Sequence, residues 1–249
     1  GDGGLSLPYS IGFLPNNNGY TDAGVFATNT ATTTANISGG TGSMQRPDGK
    51  YVIIKGGASS ATDIYDPITN TTISGPSLLN SGNLIAKLIQ RPDGKFLYIA
   101  GGTATNIYNP VANTVIQGPN LIHGAAIGVH SLLRPDGKFL IVEAGGIAST
   151  SVYDPIANTM ATGTPLNFVA GIGSHSIQRP DGKFLIISGS GTTKTSLYDP
   201  VSFQMFSGPT TTANVSTTAA FSLQRPDGKF LIVHGGGLDS TSVYDPLAN

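Results

Sequence analysis

One five-residue motif, Arg-Pro-Asp-Gly-Lys, occurs five times in this chain of 249 residues and constrains its fold more than any other feature. The copies begin at Arg46, Arg91, Arg134, Arg179 and Arg225, so their spacings are 45, 43, 45 and 46 residues. Each copy is followed by an apolar run, a glycine cluster and a triplet like Tyr-Asp-Pro. A period of this length indicates stacked supersecondary units, none of which can bury its apolar face alone. One repeat is therefore expected to be one unit of the fold.

Each repeat is predicted to contain four β-strands. Asp-Gly between two apolar runs predicts a β-hairpin, because the tight turn requires a positive φ that glycine supplies and aspartate tolerates. The second strand, for example residues 184–187, is apolar at four successive positions, so both of its faces are expected to be covered. A third strand ends at the tyrosine, since the proline that follows has no N–H for a ladder. A fourth strand then runs to a Gly-Pro pair such as Gly75-Pro76.

Repeated four-stranded units with covered faces predict an all-β fold, a five-bladed β-propeller of four-stranded antiparallel blades, with residues 1–249 as a single domain. The repeats begin near residues 42, 87, 130, 175 and 221. Because the last repeat reaches only its third strand, the N-terminus is predicted to close the ring, with residues 24–28 as the missing strand of the last blade. Residues 23–41 then form the closing strand and a link, and residues 1–22 form an N-terminal arm. The alternative is a six-bladed ring in which residues 1–22 are a degenerate blade.

The apolar strand, the double glycine and the Tyr-Asp-Pro triplet with a downstream asparagine (Asn70, Asn113 and Asn158) resemble the kelch repeat, especially the bacterial form related to the galactose-oxidase propeller. The resemblance covers residues 42–249, and the Pro-Asp-Gly-Lys hairpin is similar to that of lactonase-type propellers. It implies a propeller fold, which hosts binding modules, enzymes and structural proteins alike. Kelch blades usually carry a tryptophan in the fourth strand, and this chain has none. Galactose oxidase uses a tyrosine crosslinked to a cysteine beside copper, and a chain without cysteine cannot build that cofactor.

Most of the charge belongs to the repeat itself. Ten of the 13 basic residues lie in the five motifs, and nine of the 14 acidic residues lie in the motif turns and the Tyr-Asp-Pro triplets. A glycosidase needs two carboxylates in different environments, so we expect no enzyme, although Glu143 is one spare candidate. The net charge of −1 and the lack of a basic stripe argue against a nucleic-acid partner. No apolar run is long enough to span a membrane, and we predict no cofactor.

The five motif arginines have two interpretations. They could form a ring of anion-binding guanidinium groups, or each could brace one blade against the next. We favour bracing, because residues repeated in every blade serve the packing that every blade shares. The expected partners are the Asp of a Tyr-Asp-Pro triplet or loop carbonyl groups.

The positions where the repeats disagree are more informative about function. The first strands begin with Gly42, Lys87, His130, His175 and Phe221, and the second strands end at Lys55, Ala100, Glu143, Ser188 and His234. Since the two strands are antiparallel, both sets are expected at one end of the blades, which we call the variable rim; the opposite end, with the Asp-Gly turns, is the turn face. Rigid scaffolds commonly carry function on variable loops. The candidate ligand-binding residues are therefore Lys87, His130, His175, Phe221, Lys55, Glu143 and His234.

The histidines of the rim, which include His123, have a simpler interpretation as solvated or interblade polar residues. A Zn, Cu or Ni site built on His130, His175 and a neighbour is the alternative, because imidazole suits these metals. We predict no metal site, because the sequence shows neither a ligand-spacing motif nor supporting residues around the ligands.

These features favour a non-catalytic extracellular recognition or adhesion module that binds a glycan or protein surface through the variable rim. The abundance of Thr, Ser, Asn and Gly with few charges suggests an extracellular or surface-associated location. The alternative is a structural subunit of a cell-surface layer, an extracellular filament or a virion. In that case residues 1–22 would add a strand to the open edge of a neighbour.

Overall fold

The structure, a computed structural model, describes residues 31–39, 41–81, 87–217 and 220–248. These residues form nineteen β-strands and no helix. They belong to one compact unit that begins at Ala31. Within these ranges no helix is long and apolar enough to cross a membrane. The all-β class is confirmed.

Each repeat folds into one antiparallel sheet whose strands pair in chain order. Sheet 1 contains β1 (Gly42–Gln45), β2 (Tyr51–Ile54), β3 (Thr62–Asp66) and β4 (Thr71–Ser74). Sheet 2 contains β5 (Lys87–Gln90), β6 (Phe96–Gly101), β7 (Ala104–Asn109) and β8 (Thr114–Gln117). Sheet 3 contains β9 (His130–Leu133), β10 (Phe139–Val142), β11 (Thr150–Asp154) and β12 (Thr159–Thr162). Sheet 4 contains β13 (His175–Gln178), β14 (Phe184–Ile187), β15 (Thr195–Asp199) and β16 (Gln204–Ser207), and sheet 5 contains β17 (Phe221–Gln224), β18 (Phe230–Val233) and β19 (Thr241–Tyr244).

The motif forms the turn between the first two strands of every sheet, as predicted. In sheet 1 the Arg46 N–H donates to the Lys50 carbonyl at 2.7 Å, and Gly49 has a φ of 79°. A Cβ added at Gly49 would meet nothing within 4 Å. The left-handed backbone, and not a lack of space, therefore selects glycine at this position.

The apolar core lies between successive sheets. One cluster joins sheets 1 and 2, and the others join sheets 2 and 3, 3 and 4, and 4 and 5. The second strands are buried at most positions, as their unbroken apolar sequence predicts. The first strands contact one another in the order β1, β5, β9, β13 and β17, so we call them the inner strands. Sheets packed face to face around adjacent inner strands form a β-propeller-like fold.

The motif arginines join neighbouring sheets on the turn face. In three repeats the guanidinium donates to the hydroxyl of a tyrosine at or next to the end of the third strand of the next sheet. It also donates to an acceptor in the turn after that strand. The pairs are Arg46 with Tyr108 (2.8 Å) and Asn113 (3.0 Å), Arg91 with Tyr153 and with Asn158 (2.7 Å), and Arg179 with Tyr244 (2.8 Å) and the Pro246 carbonyl (3.0 Å). The predicted bracing between sheets is confirmed for these three arginines.

Two partners were predicted for these arginines. The prediction of the aspartate of the Tyr-Asp-Pro triplet was wrong, and a loop carbonyl group is found for Arg179. Asp66 of the Tyr-Asp-Pro triplet lies 3.0 Å from the Lys50 ammonium group of its own sheet. The pairing of β2 with β3 explains this, because Tyr51 is opposite Tyr65 and the next residues outward are Lys50 and Asp66. The arginine instead pairs with the aspartate of its own motif, as in Arg46 and Asp48 at 3.0 Å.

Sheet 5 has three strands among the described residues. Its β17 is more exposed than the other inner strands, with Phe221 48% and Leu223 44% accessible. The closing strand predicted at residues 24–28 and the arm predicted at residues 1–22 lie outside the described residues.

Candidate functional site

Three of the seven candidate residues lie in the interior of separate sheets. Lys55, Glu143 and His234 directly follow the second strands of sheets 1, 3 and 5, and each is at most 2% exposed. Each contacts the third strand eight residues further along the chain. The contacts join Lys55 Nζ to Asp63 Oδ1 (3.0 Å), Ser151 Oγ to Glu143 Oε1 (2.6 Å) and His234 Nε2 to Ser242 Oγ (2.7 Å).

These polar pairs hold the link that arrives from the preceding repeat. A link backbone N–H donates to the polar third-strand residue in these three sheets, and also to Asn106 at the same position of sheet 2. The bonds run from Thr34 to Asp63 (2.8 Å), Leu79 to Asn106 (3.0 Å), Ile122 to Ser151 (3.1 Å) and Thr212 to Ser242 (3.0 Å). The buried pairs therefore satisfy backbone groups that would otherwise lie unpaired beneath the rim. Sequence reasoning missed this role, although a polar residue near the start of each third strand was the available signal.

The pair in sheet 1 is ionic. Asp63 is fully buried and accepts hydrogen bonds from the Thr34 N–H (2.8 Å) and hydroxyl (2.6 Å). Burial by itself raises the pKa of Asp63, but the hydrogen bonds from Thr34 and Lys55 outweigh it and lower the pKa below its ordinary value. Asp63 is therefore ionised at neutral pH and neutralises Lys55.

In sheet 3 the corresponding pair lies behind a surface histidine. Glu143 Oε2 lies 3.3 Å from His123 Nδ1, and Glu143 Oε1 accepts the His123 backbone N–H at 3.3 Å. The His123 side chain is 48% exposed, whereas Glu143 is fully buried. Glu143 Oε2 makes no hydrogen bond with a described residue. Glu143 thus holds the His123 backbone and the link, and it does not itself reach the surface.

The other candidates lie at the starts of the inner strands. Lys87, His130 and His175 occupy the first position of β5, β9 and β13, and these strands are successive neighbours. Phe221 holds the same position in β17. The structure therefore brings Lys87, His130 and His175 to one part of the variable rim.

The two inner-strand histidines use one ring nitrogen in the same way. His130 Nδ1 lies 2.9 Å from the Gly128 carbonyl, and His175 Nδ1 lies 2.9 Å from the Gly173 carbonyl. Since a carbonyl only accepts, each Nδ1 carries the proton and each Nε2 of the neutral ring is an acceptor. His175 Nε2 accepts from the Ser222 hydroxyl at 2.7 Å, which joins sheet 4 to sheet 5.

His130 Nε2 and the Lys87 ammonium group differ from these satisfied groups. His130 Nε2 is buried and has no hydrogen-bond partner. Lys87 is partly buried, and among the described residues no carboxylate pairs with it. Burial, together with the nearby His175 and Lys87 and against the hydrogen bond to Gly128, lowers the pKa of His130 to about 4. Burial also lowers the pKa of Lys87 and of His175.

Two glycines hold the backbone that positions these histidines. Gly128 has a φ of 100° and Gly173 a φ of 80°. A Cβ on Gly128 would lie 2.2 Å from the Gly171 carbonyl oxygen, and one on Gly173 would lie 2.1 Å from the Ser216 carbonyl oxygen. Links of adjacent sheets therefore touch through backbone atoms, which fixes the carbonyl groups that accept from the imidazoles.

Two further clefts lie on the turn face between inner strands. One of about 520 Å³ is lined by Gln45, Arg46 and Phe96, and one of about 710 Å³ by Gln90, Arg91 and Phe139. Their walls come from equivalent positions of successive repeats, and their arginines already bind the next sheet. Within the described ranges, no group of three or more His, Cys, Asp or Glu side chains could hold a metal ion.

Comparison with known proteins identifies no family for this chain. No family model matches the sequence, and no curated protein matches it. Among solved structures, a fungal alcohol oxidase of the AA5 family, in complex with copper, is similar with a TM-score of 0.45 and 12% sequence identity. The match covers 77% of this chain and 57% of that chain.

Proposed function

We propose that this chain is a non-catalytic, extracellular or surface-associated recognition module that binds a glycan or protein surface through its variable rim. The observation that carries this proposal is Lys87, a partly buried ammonium group of the variable rim that has no hydrogen-bond or ion-pair partner among the described residues. The motif residues on the turn face pair within their own sheet or with the next sheet, whereas the position of Lys87 differs between repeats.

The same proposal includes a five-bladed propeller closed by residues 24–28 as the fourth strand of sheet 5. The Thr34 N–H meets Asp63 of sheet 1 as the Leu79 N–H meets Asn106 of sheet 2. Residues around Thr34 thus occupy the place of a link, and in every other repeat a link follows a fourth strand. This equivalence supports a strand just before residue 30, and sheet 5 is the sheet that has three strands among the described residues.

The state of the acidic residues supports a module without catalysis. The motif and Tyr-Asp-Pro aspartates form ion pairs with motif Arg and Lys side chains, as in Lys138 with Asp154 at 3.0 Å. Asp63 and Glu143 are fully buried and engaged with a link. General acid–base catalysis by a carboxylate requires that it lie within reach of a substrate, and these carboxylates face the interior or their partners.

A glycan-array screen at neutral pH tests the proposal. The full chain should bind one class of glycan, and Lys87→Met should reduce that signal at least tenfold. A matched control is Lys194→Met, because Lys194 stacks on the Phe168 ring at 5.3 Å elsewhere on the rim. Array binding that survives Lys87→Met, or no binding to any glycan or cell-surface protein, would overturn the rim as the recognition face.

A structural subunit is the second candidate, and the open edge of sheet 5 favours it. Among the described residues β19 pairs on one side only, with β18, and Val243 of this strand is 51% exposed. Such an edge accepts an added strand from the same chain or from a neighbour. Mass measurement over a dilution series distinguishes these cases. A monomer at all concentrations supports closure within one chain, and concentration-dependent polymers that vanish on deletion of residues 1–22 support assembly.

A further inference from the structure

We propose that the turn face docks onto the surface of a lipid bilayer through one aliphatic side chain from each sheet. These five side chains, which we call the apolar tips, are Ile68, Val111, Ile156, Val201 and Leu247. Each directly follows the proline of the Tyr-Asp-Pro or Tyr-Asn-Pro triplet, in the turn after the third strand. The inference goes beyond the proposed recognition function, because it concerns the opposite end of the sheets.

The apolar tips are the most exposed large hydrophobic side chains of the described residues. Their exposed fractions are 91, 85, 79, 77 and 80% in chain order, and no other large hydrophobic side chain in these ranges exceeds 59%. A single exposed aliphatic residue is ordinary, but here all five sheets carry one at the same position. The fold gains little burial from these side chains, so packing within the chain does not explain why they are aliphatic.

Each apolar tip is held by the same local structure. The backbone N–H of the tip donates to the side chain of the Asp or Asn two residues before it, at 2.9 to 3.0 Å in all five sheets. The proline between the two residues restricts the backbone further. The tips therefore project from equivalent, internally hydrogen-bonded turns at one end of the sheets.

A lysine lies beside the apolar tip in four of the sheets. Asp66 accepts the Ile68 N–H through Oδ1 at 2.9 Å and lies 3.0 Å from the Lys50 ammonium group through Oδ2. The same carboxylate joins tip and lysine in sheets 3, 4 and 5. An aliphatic side chain beside an ammonium group matches the boundary of a bilayer, where acyl chains meet phosphate groups. Lysine can keep its stem among apolar groups there while its charge remains at the phosphates.

The arrangement favours a lipid surface over a protein partner. Because each tip belongs to a different sheet, a protein would need a separate apolar pocket for each of them, whereas a bilayer accepts each tip independently. The ten basic and nine acidic residues of the motifs and triplets nearly cancel, so docking is expected to depend on the tips and not on anionic lipids. A chain docked in this way presents its variable rim away from the bilayer.

The test places a tryptophan at one tip, because the chain has no tryptophan of its own. Full-length Val201→Trp is mixed at pH 7 with phosphatidylcholine vesicles. Its emission should shift to shorter wavelength, and vesicles with brominated acyl chains should quench it. Leu238→Trp is the matched control, since Leu238 is 51% exposed in the loop between β18 and β19, on the variable rim. It should show neither change.

Flotation of the unsubstituted chain with the same vesicles measures what the tips contribute. Since each aliphatic tip contributes through the apolar area it buries, Ile156→Ser/Val201→Ser should lower the partition coefficient about tenfold. Leu238→Ser should leave it unchanged. Far-UV circular dichroism should be the same for all of these variants, because the substituted side chains are exposed.

Four outcomes would overturn the inference. The first is no vesicle binding of the unsubstituted chain together with no emission shift in Val201→Trp. The second is an equal shift in Leu238→Trp, which would remove the turn face as the docking side. The third is binding that requires anionic lipid and disappears in high salt, which would assign docking to charge. The fourth is oligomers that dissociate in Ile156→Ser/Val201→Ser without any vesicle binding, which would assign the tips to a second copy of this chain.

Discussion

Replacing Arg91 should destabilise the protein far more than replacing Arg225, although both arginines open the same motif. Arg91 is 9% exposed and donates to Tyr153 and Asn158 of sheet 3, while its Nε lies 3.0 Å from Asp93. The Arg225 side chain is 42% exposed and pairs with Asp227 at 2.9 Å within its own motif. The comparison therefore separates bracing between sheets from an ordinary ion pair at the surface.

The expected magnitudes follow from the bonds that each substitution removes. Arg91→Met removes two charge-assisted hydrogen bonds to sheet 3, and such bonds contribute about 1.5 to 3 kcal/mol each. Tyr153 keeps its bond to Asn158 at 3.1 Å, so its hydroxyl is not left unpaired and part of the loss is recovered. We expect Arg91→Met to lower the free energy of unfolding by about 3 kcal/mol. Arg225→Met should lower it by no more than about 1 kcal/mol, as for an exposed ion pair.

Urea denaturation followed by far-UV circular dichroism measures both losses, because the chain has no tryptophan to report unfolding. Tyr153→Phe is a control that removes the hydroxyl and keeps the ring, and it should cost about 1 kcal/mol. Equal and large losses for both arginines would refute the assignment of Arg225 to the surface. Such a result would mean that Arg225 braces a further sheet, as a closed ring requires. Losses below about 1 kcal/mol for both would refute bracing altogether.

Three further predictions concern the stability contributions of His130, Phe203 and Asp63. Burial, with the nearby His175 and Lys87, holds the pKa of His130 near 4 in the folded protein, against 6.5 in the unfolded chain. Above pH 6.5 the imidazole is therefore neutral in both states, and it does not lower the free energy of unfolding. The free energy of unfolding should fall by up to about 3 kcal/mol as pH drops to 4, and a melting curve over pH for His130→Gln should lack this part of the loss. Phe203 has a φ of 59° at the position where sheet 2 has Asn113, whose φ is 54°. Phe203→Asn should relieve left-handed strain and raise the free energy of unfolding by about 1 kcal/mol. A lower melting temperature of the variant would contradict this. Asp63→Asn leaves the buried Lys55 without a counter-charge and should lower the free energy of unfolding by about 3 to 5 kcal/mol in denaturation. The double variant Lys55→Met/Asp63→Asn, which keeps an acceptor for the Thr34 N–H, should recover most of it.

The strands and turns could be predicted from the sequence because their causes are local. Asp-Gly requires its turn whatever surrounds it, and an apolar run of four residues repeats in every unit. The end of the fourth strand also has a local cause, since β4 ends at Ser74, just before the Gly75-Pro76 pair.

The partners of charged side chains could not be predicted in the same way. Tyr108 is 62 residues from Arg46, so its role as the acceptor depends on how two sheets dock. The burial of Lys55 depends on a different feature. Its strand, β2, pairs with β3 across a glycine loop, and this pairing directs the Lys55 side chain inward to Asp63. The disagreement between repeats placed Lys55 and Glu143 among the rim candidates, and lysine and glutamate are normally exposed, yet both side chains are buried.

Comparison of repeats within one chain divides the polar residues by what the fold requires of them. Residues present in every repeat, such as the motif arginines, serve contacts that every sheet makes. Residues that vary between repeats but lie in the interior, such as Lys55 and His234, have one role that is filled by different chemistry. They contact the third-strand residue that accepts a backbone N–H of the link. Lys87 belongs to neither group, since its position varies between repeats and its Nζ has no hydrogen-bond or ion-pair partner among the described residues. A partly buried ammonium group without a partner carries a desolvation cost, and that cost is explained if a ligand at the variable rim supplies the partner.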